Sequence, residues 1–350
     1  MRALFVGLGG IGQRHLRNLL TLRGDSIEIL AHRVRGLSRT LTDRLQVDAG
    51  VDLERRYGIR VIPDLDEAVA LADVVFICNP TRLHVPAALA AARAGRSIFV
   101  EKPVSDSWKG IDELLGLVAS RRLVTLVGFQ MRFHPLLRRL QALVAEGAVG
   151  RILAVLAQVA EYLPGFHTYE DYRAMYAARR DLGGGVILSQ IHEFDYLYAL
   201  LGLPERVFAL GGHLSSLEID VEDVADVSME FRRGGRPVPV HLHLDYVQRP
   251  PARTCTVLGD AGKILLDFHA ASLRRFDGEG RLAFEETLAD FPRNRMFSDE
   301  MEHFLACIEG RAAPLVPLAE GVQSLRMALA ARESLETGRV VAAVGVEKAP

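Results

Sequence analysis

A glycine-rich turn between an apolar run and an amphipathic stretch constrains the fold of this chain more than any other feature. Residues 3–6 form the apolar run, and the turn contains Gly7, Gly9, Gly10, Ile11 and Gly12. Residues 13–23 follow with leucines on one helical face. This order of strand, G-x-G-x-x-G turn and helix is typical of a dinucleotide site. Gly7 permits the tight turn, Gly9 lets the backbone approach a pyrophosphate, and Gly12 lets the helix pack on the strand.

Composition and charge argue against several other classes of protein. Hydrophobic residues make up 49% of the 350 residues and the formal net charge is −2, as expected for a globular chain with room for two domains. No basic stripe with interleaved aromatics points to nucleic acid, and no apolar run is long enough to span a bilayer. Three scattered cysteines without metal-ligand spacing predict a reducing, cytoplasmic location and no metal site.

The first third of the chain alternates between short apolar runs and helical patterns. We predict strands at residues 3–6, 27–31, 74–78, 97–100 and 123–128, with helices at residues 11–23, 66–71, 86–94 and 108–120. This β-α alternation predicts a parallel, doubly wound sheet of the Rossmann type.

The pattern changes after about residue 150, where strands follow strands. We predict strands at residues 152–162, 206–214, 224–231, 238–246, 254–258 and 263–268, one long helix at residues 186–201, and terminal helices at residues 296–309 and 318–337. Alternation along residues 238–244 suits a sheet with one covered face. The prediction is a Rossmann domain at residues 1–125 and an α+β domain at residues 126–350 with a large, mainly antiparallel, open-faced sheet. The terminal helices are placed to pack back on the first domain. An open apolar face favours a homodimer or homotetramer.

Two strand ends supply candidate site residues, because ligands bind beyond the carboxyl ends of parallel strands. Glu101 and Lys102 follow residues 97–100, and the lysine can donate to a hydroxyl and stabilise developing negative charge. The alternative is an ordinary surface lysine. The segment Asn79-Pro80-Thr81 with His84 ends the preceding strand, where Asn79 and Thr81 can bond a nicotinamide ribose. For His84 alone, an ordinary turn is the favoured interpretation.

His192 is the second catalytic candidate. Three glycines at residues 183–185 precede its helix, and Ser189, His192, Asp195 and Tyr196 are three or four residues apart on one face. A neutral imidazole can accept a hydroxyl proton near pH 7, although a lone helical histidine is more often a packing residue.

A cluster of aromatic and polar side chains lies upstream of the three glycines. Tyr162, His167, Tyr172 and Arg173 can stack on a sugar ring or bond its hydroxyls. An interface or an exposed loop edge is the alternative.

Taken in order, these motifs resemble the Gfo/Idh/MocA oxidoreductases, the family of glucose–fructose oxidoreductase and inositol dehydrogenase. The resemblance covers nearly the whole chain and includes residues 127–135, 293–297 and 302–304. It implies a nicotinamide-dependent dehydrogenase acting on a secondary hydroxyl of a sugar, sugar nucleotide or cyclitol. By position, Lys102 is the catalytic lysine, His192 is the general acid/base, and Arg132 lies near the nicotinamide and the substrate.

Two departures from the family pattern stand out. Leu188 occupies the position, four residues before the histidine, where many members carry an aspartate, and the sequence does not show what replaces it. At the end of the second strand, His32, Arg33, Val34 and Arg35 stand where an acidic residue normally binds the adenosine ribose. Arginines there can bind a ribose phosphate, so NADP is predicted to be accepted beside NAD and slightly favoured.

Two other functions remain open from the sequence. Some relatives retain their dinucleotide and use a transient oxidation to drive glycoside cleavage or epimerisation. A dinucleotide or sugar sensor without catalysis is the second alternative.

Overall fold

A computed structural model describes residues 1–34, 39–42 and 46–344 of the chain. Its first part is a six-stranded parallel sheet in the order β5-β2-β1-β6-β7-β8, beside a small hairpin of β3 and β4. The strands are β1 (Arg2–Val6), β2 (Glu28–His32), β3 (Arg39–Leu41), β4 (Val47–Asp52), β5 (Arg60–Val61), β6 (Val74–Ile77), β7 (Ser97–Glu101) and β8 (Thr125–Gly128). The helices are α1 (Gly10–Arg23), α2 (Leu53–Tyr57), α3 (Leu65–Leu71), α4 (His84–Arg93) and α5 (Ile111–Arg121).

The second part is an eight-stranded sheet in the order β10-β11-β12-β9-β13-β14-β15-β16. Its elements in chain order are α6 (Pro135–Ala145), β9 (Ile152–Ala160), α7 (Val186–Ser189), α8 (His192–Leu201), β10 (Arg206–Gly212), β11 (Val224–Arg233), β12 (Arg236–Asp245), β13 (Ala252–Gly259), β14 (Gly262–Asp267), β15 (Ser272–Phe276), β16 (Leu282–Thr287), α9 (Asn294–Ile308) and α10 (Leu318–Thr337). Only β9 and β12 pair in parallel in the described sheet. The predicted fold class is therefore confirmed.

Helices cover one face of this sheet and leave the other open. Leu242 and Leu244 on β12 are buried on the face that the helices cover, where α7 contacts β12, α8 contacts β9 and β11, and α10 contacts β10. His241, which precedes Leu242 and points to the other face, is exposed. On the open face Leu156 and Leu210 are 48% and 60% exposed. The sequence did not predict β15 and β16, since their arginines and glutamates blur the apolar alternation at the edge of the sheet.

The predicted single helix at residues 186–201 is wrong in one respect, because the structure breaks it at Gln190 and Ile191. Gln190 leaves helical geometry with a ψ of 33°, so α7 ends at Ser189 and a second helix begins. The break makes His192 the first residue of α8.

The two C-terminal helices connect the two sheets. Phe304 of α9 packs against Phe76 and Phe99 of the parallel sheet, with ring centroids 5.7 and 5.5 Å away. The N–H of Val127 donates to the carbonyl of Val316 just before α10. The predicted domain boundary after residue 125 cuts into β8, which pairs with β7 as far as Gly128. Within the described residues, no helix combines the length and apolarity that crossing a membrane requires.

Candidate active site

A cavity of about 940 Å³ lies where the carboxyl edge of the parallel sheet faces α7, α8 and the segment before them. It is lined by residues as far apart in the sequence as Val6 and Phe297. The predicted site residues that line it are Gly7, Gly9, Gly10, Ile11, His32, Arg33, Asn79, Pro80, Thr81, His84, Glu101, Lys102, Tyr162, His167, Ser189 and His192. Gly12, Arg132, Tyr172 and Arg173 are not among the described residues that line it.

The glycine turn leaves a backbone-lined recess in front of α1. Gly7 has a φ of +93°, and a Cβ there would lie 2.8 Å from the Asn79 Cα. A Cβ on Gly12 would lie 2.4 Å from the carbonyl oxygen of Gly7, whereas one on Gly9 would meet no atom within 4 Å. Asn79 also presents a buried Oδ1 that has no partner in the described structure. The open recess and the free N–H groups of a helix start fit a dinucleotide pyrophosphate.

The basic residues that the sequence predicts for the adenosine lie at the end of the cavity beside β2, but they are not free. Arg33 pairs with Glu54, 2.6 Å away, so α2 supplies a carboxylate that β2 lacks. The His32 Nδ1 lies 3.4 Å from the carbonyl oxygen of Ile62. Arg35, the second arginine of this segment, falls outside the described residues.

Two buried polar side chains hold the strand ends in place. The ring nitrogens of His84 lie 2.8 Å from the Pro103 carbonyl oxygen and 2.7 Å from that of Asn79, and burial lowers its pKa. The Glu101 carboxylate accepts from the backbone N–H of Lys102 and lies 2.6 Å from the Nε2 of His15 on α1. These contacts position the loops after β6 and β7 relative to the glycine turn.

Lys102 and His192 meet at the other end of the cavity. The Lys102 Nζ donates to the carbonyl oxygen of Ser189 over 2.8 Å. The Gln130 Nε2 donates to the His192 Nε2 over 3.1 Å, and the Nδ1 has no partner in the described structure. Burial, and after it the neighbouring cations including Lys102, lower the pKa of His192 well below its ordinary value. The ring is therefore neutral at pH 7 beside an ammonium group, an arrangement suited to moving a hydroxyl proton.

Arg132 and Asp195 form a buried ion pair rather than part of the cavity wall. Arg132 donates from Nε to Oδ2 over 2.6 Å and from its terminal nitrogen to Oδ1 over 3.0 Å. Asp195 is fully buried and engaged, so it does not stand in for the aspartate missing at Leu188. The pair attaches the start of α8, and with it His192, to the segment after β8.

The aromatic cluster divides between the cavity and the surface. Tyr162 lines the cavity beneath the guanidinium of Arg249, 4.1 Å from its ring centroid. Arg173 instead pairs with Asp171 and Glu218 at the surface, and the Tyr172 hydroxyl accepts from the Glu218 N–H.

Sequence reasoning assigned no role to several charged or polar residues that line the cavity. Gln130 lay inside a stretch that carried the family resemblance. Arg293 likewise lay in residues 293–297, a stretch that carried the resemblance but assigned it no role. Glu161, Arg249 and Arg253, which also line the cavity, stand in no recognisable motif, and no sequence signal distinguished them.

Comparison with known proteins agrees with this architecture. Residues 1–129 match the family model described as an oxidoreductase family with an NAD-binding Rossmann fold, and residues 137–265 match the GFO/IDH/MocA C-terminal domain. A myo-inositol 2-dehydrogenase of Thermotoga maritima is 26% identical over 97% of this chain and 98% of its own length.

Solved structures share the whole fold. The WlbA dehydrogenase of Bordetella pertussis, in complex with NADH and UDP-GlcNAcA, gives a TM-score of 0.78 at 21% identity over 98% of this chain and 97% of its own. The scyllo-inositol dehydrogenase of Lactobacillus casei, with NAD(H) and scyllo-inositol, gives 0.75 at 21% identity over 99% of both chains. With both domains matched, this chain belongs to the Gfo/Idh/MocA family of oxidoreductases, which carry an NAD-binding Rossmann domain.

Proposed function

We propose that this oxidoreductase interconverts a secondary hydroxyl and a ketone on a sugar, sugar nucleotide or cyclitol with a nicotinamide cofactor. The observation that carries the proposal is the placement of Lys102 and a neutral His192 in the cavity that also contains the glycine turn. The relatives named above for inositol, and the Bordetella protein in complex with a sugar nucleotide, support this substrate class.

The cofactor would be held by the glycine turn and the loops after β2, β6 and β7. Gly9, Gly10 and Ile11 would bind the pyrophosphate through backbone N–H groups, and the unpartnered Oδ1 of Asn79 is available to a ribose hydroxyl. The bound nicotinamide supplies the acceptor or donor of a hydride.

In the oxidising direction, His192 would take the hydroxyl proton. Gln130 now occupies the lone pair of the Nε2, and a substrate hydroxyl would replace it as the donor to that atom. The Lys102 ammonium, held by the carbonyl of Ser189, would donate to the substrate oxygen and stabilise its negative charge as the proton leaves. In the reducing direction the same two groups would return the proton.

The test is nicotinamide absorbance with a panel of sugars, cyclitols and sugar nucleotides, in the wild type and in His192→Ala. We expect reduction with one substrate class and its loss in the variant. His269→Ala, which changes an exposed histidine, is the matched control and should retain activity. Binding of the cofactor without turnover of any panel member would contradict the dehydrogenase. It would favour a retained-cofactor glycosidase or epimerase, or a sensor.

We further propose that the site accepts NADP as well as NAD, with a slight preference for NADP. Support comes from His32 and Arg33 at the end of β2, in place of an acidic side chain. Dissociation constants for the two dinucleotides test this, and Arg33→Ala is expected to weaken NADP more than NAD. A clear preference of the wild type for NAD would overturn it.

A homodimer or homotetramer formed through the open face of the eight-stranded sheet is also proposed. Leu156 is central on this face, and Leu210 adds to its apolar area. Light scattering of the wild type and of Leu156→Asp tests it: we expect a dimer or tetramer that the variant weakens, and a wild-type monomer would contradict it. A cytoplasmic location stays a prediction; the three cysteines are unpaired and buried.

A further inference from the structure

The wall of the cavity is positively charged although the chain as a whole is not. Among the described residues, seven arginine or lysine side chains and three glutamates line it, against a formal net charge of −2 for the protein. Arg14, Arg33 and Arg39 belong to the first 40 residues, around the cofactor end. The remaining four cations belong to the substrate end and need a separate explanation.

One of these four is already neutralised. Arg253 donates from its Nε to the Glu193 Oε1 over 2.7 Å and from a terminal nitrogen to the Oε2 over 3.0 Å. Glu193 is fully buried, so this bidentate pair is part of the protein interior. Lys102 is held by the carbonyl of Ser189 and serves the reacting oxygen.

Arg293 is different, because no hydrogen bond or ion pair engages it within the described part of the chain. It stands immediately before α9 and lines the cavity. Its side chain is accessible to cavity water, yet enough protein surrounds it that burial lowers its pKa, and the charge of Arg253 lowers it further. The carboxylate of Glu161 acts in the opposite direction without forming an ion pair. The guanidinium is exposed to the cavity and has no ion-pair partner among the described residues, so it can bind a ligand anion that enters there.

Arg293 is near the reacting groups. Its charge is among those that lower the pKa of His192, together with those of Lys102 and Arg253. Arg249, stacked over Tyr162, adds a second guanidinium to the same wall and forms no ion pair among the described residues. The pyrophosphate recess lies at the glycine turn, so the cofactor's own phosphates do not account for these two arginines.

We propose that the substrate carries an anionic group, a carboxylate or a phosphate, which Arg293 binds with Arg249 beside it. The proposal rests on the proposed function, since it assigns the anion to the sugar that Lys102 and His192 act on. A planar guanidinium matches the paired oxygens of either anion, which gives orientation as well as affinity. The bound anion would fix the sugar ring relative to His192.

The test is equilibrium binding to the cofactor-loaded protein, which requires no turnover. The probes are D-glucuronate for a carboxylate, UDP-N-acetylglucosamine for a diphosphate, and D-glucose and myo-inositol as neutral ligands. The variants are Arg293→Gln and Arg293→Lys. Arg295→Gln is the matched control, because it removes one positive charge two residues away, from a side chain that pairs with Asp299 outside the cavity.

We expect at least one anionic probe to bind the wild type tenfold or more tightly than the neutral probes. Arg293→Gln should abolish that preference, Arg293→Lys should restore part of it, and Arg295→Gln should leave it unchanged. The probe that shows the effect identifies the anion as carboxylate or phosphate. Cofactor affinity should be the same in all four proteins.

Three results of the binding experiment would overturn the proposal. The first is that the wild type binds anionic and neutral probes equally, or binds neither anionic probe. The second is that Arg293→Gln weakens the binding of anionic and neutral probes by the same factor. The third is that Arg293→Gln loses affinity for the cofactor, which would assign Arg293 to the dinucleotide. Turnover of a neutral sugar that is indifferent to Arg293 would refute this inference while leaving the dehydrogenase intact. Arg293-dependent binding without any nicotinamide reduction would refute the dehydrogenase instead.

Discussion

One end of the cavity is formed mainly by backbone and the other mainly by side chains. The proposed cofactor end depends on backbone: Gly7, Gly9 and Gly12 lie within six residues, and their lack of side chains creates the recess. The proposed substrate end depends on side chains from separate segments, with Lys102 after β7, His192 at the start of α8 and Arg293 before α9. The first end is therefore encoded locally, whereas the second exists only when distant elements pack correctly.

Removing the ion pair that attaches α8 should have the largest effect on stability. Arg132→Leu leaves Asp195 buried without its partner, which we expect to cost about 3–5 kcal/mol of unfolding free energy. Chemical denaturation measures it. The double variant Arg132→Leu/Asp195→Leu should recover much of the loss, since no unpaired charge remains. If Arg132→Leu keeps wild-type stability and loses only cofactor or substrate affinity, the arginine serves the ligand as the family resemblance implied.

Lys102→Met should lower turnover without changing cofactor affinity. The variant keeps a similar length but cannot donate to the substrate oxygen, so turnover should fall roughly 10²–10³-fold. Cofactor affinity, measured by fluorescence titration, should stay the same because the recess is formed by backbone. Near-normal turnover would remove Lys102 from the mechanism.

Alanine substitutions at Gly9 and Gly12 should have different effects, one on cofactor binding and the other on the stability of the fold. Gly9→Ala meets no protein atom, so stability should be unchanged while cofactor affinity falls roughly tenfold through the lost close approach. Gly12→Ala places a Cβ against the carbonyl of Gly7 and should cost about 1–3 kcal/mol of stability. Thermal unfolding without cofactor and titration with it distinguish the two. The same effect from both substitutions would contradict a local recess.

The smallest of the expected effects is on the pH dependence of the oxidation rate. Because the folded pKa of His192 is lowered, the ring stays neutral as the pH falls through 6.5. The rate should therefore decline only at lower pH, where the ring gains a proton and loses its capacity as a base. Arg293→Gln removes one of the nearby charges and should move the acid limb of kcat/KM upward. A wild-type acid limb centred at pH 6.5 would mean that burial and the neighbouring cations do not lower the pKa of His192.

The residues show why some predictions held and others did not. The strand–turn–helix at residues 2–23 was predictable because its glycines and leucines act through local geometry and periodicity. The family resemblance placed Arg132 near the nicotinamide and the substrate, which stays a prediction; its ion pair with Asp195, 63 positions away, was not predictable because no spacing indicates it. Arg293 drew attention only as part of a stretch resembling the family, because its position in the cavity depends on how α9 packs against the parallel sheet.

The sequence by itself determined the parallel domain, the class of the second sheet and the location of the dinucleotide recess, since these depend on periodicity and on residues close together in the chain. Only the tertiary structure decided which charges are paired and which line the cavity. A charge is neutralised by whatever lies within a few ångströms, and at the substrate end those neighbours come from segments that meet only in the folded protein. Arg253 and Arg293 illustrate this: one is bound by the buried Glu193 and the other faces the cavity.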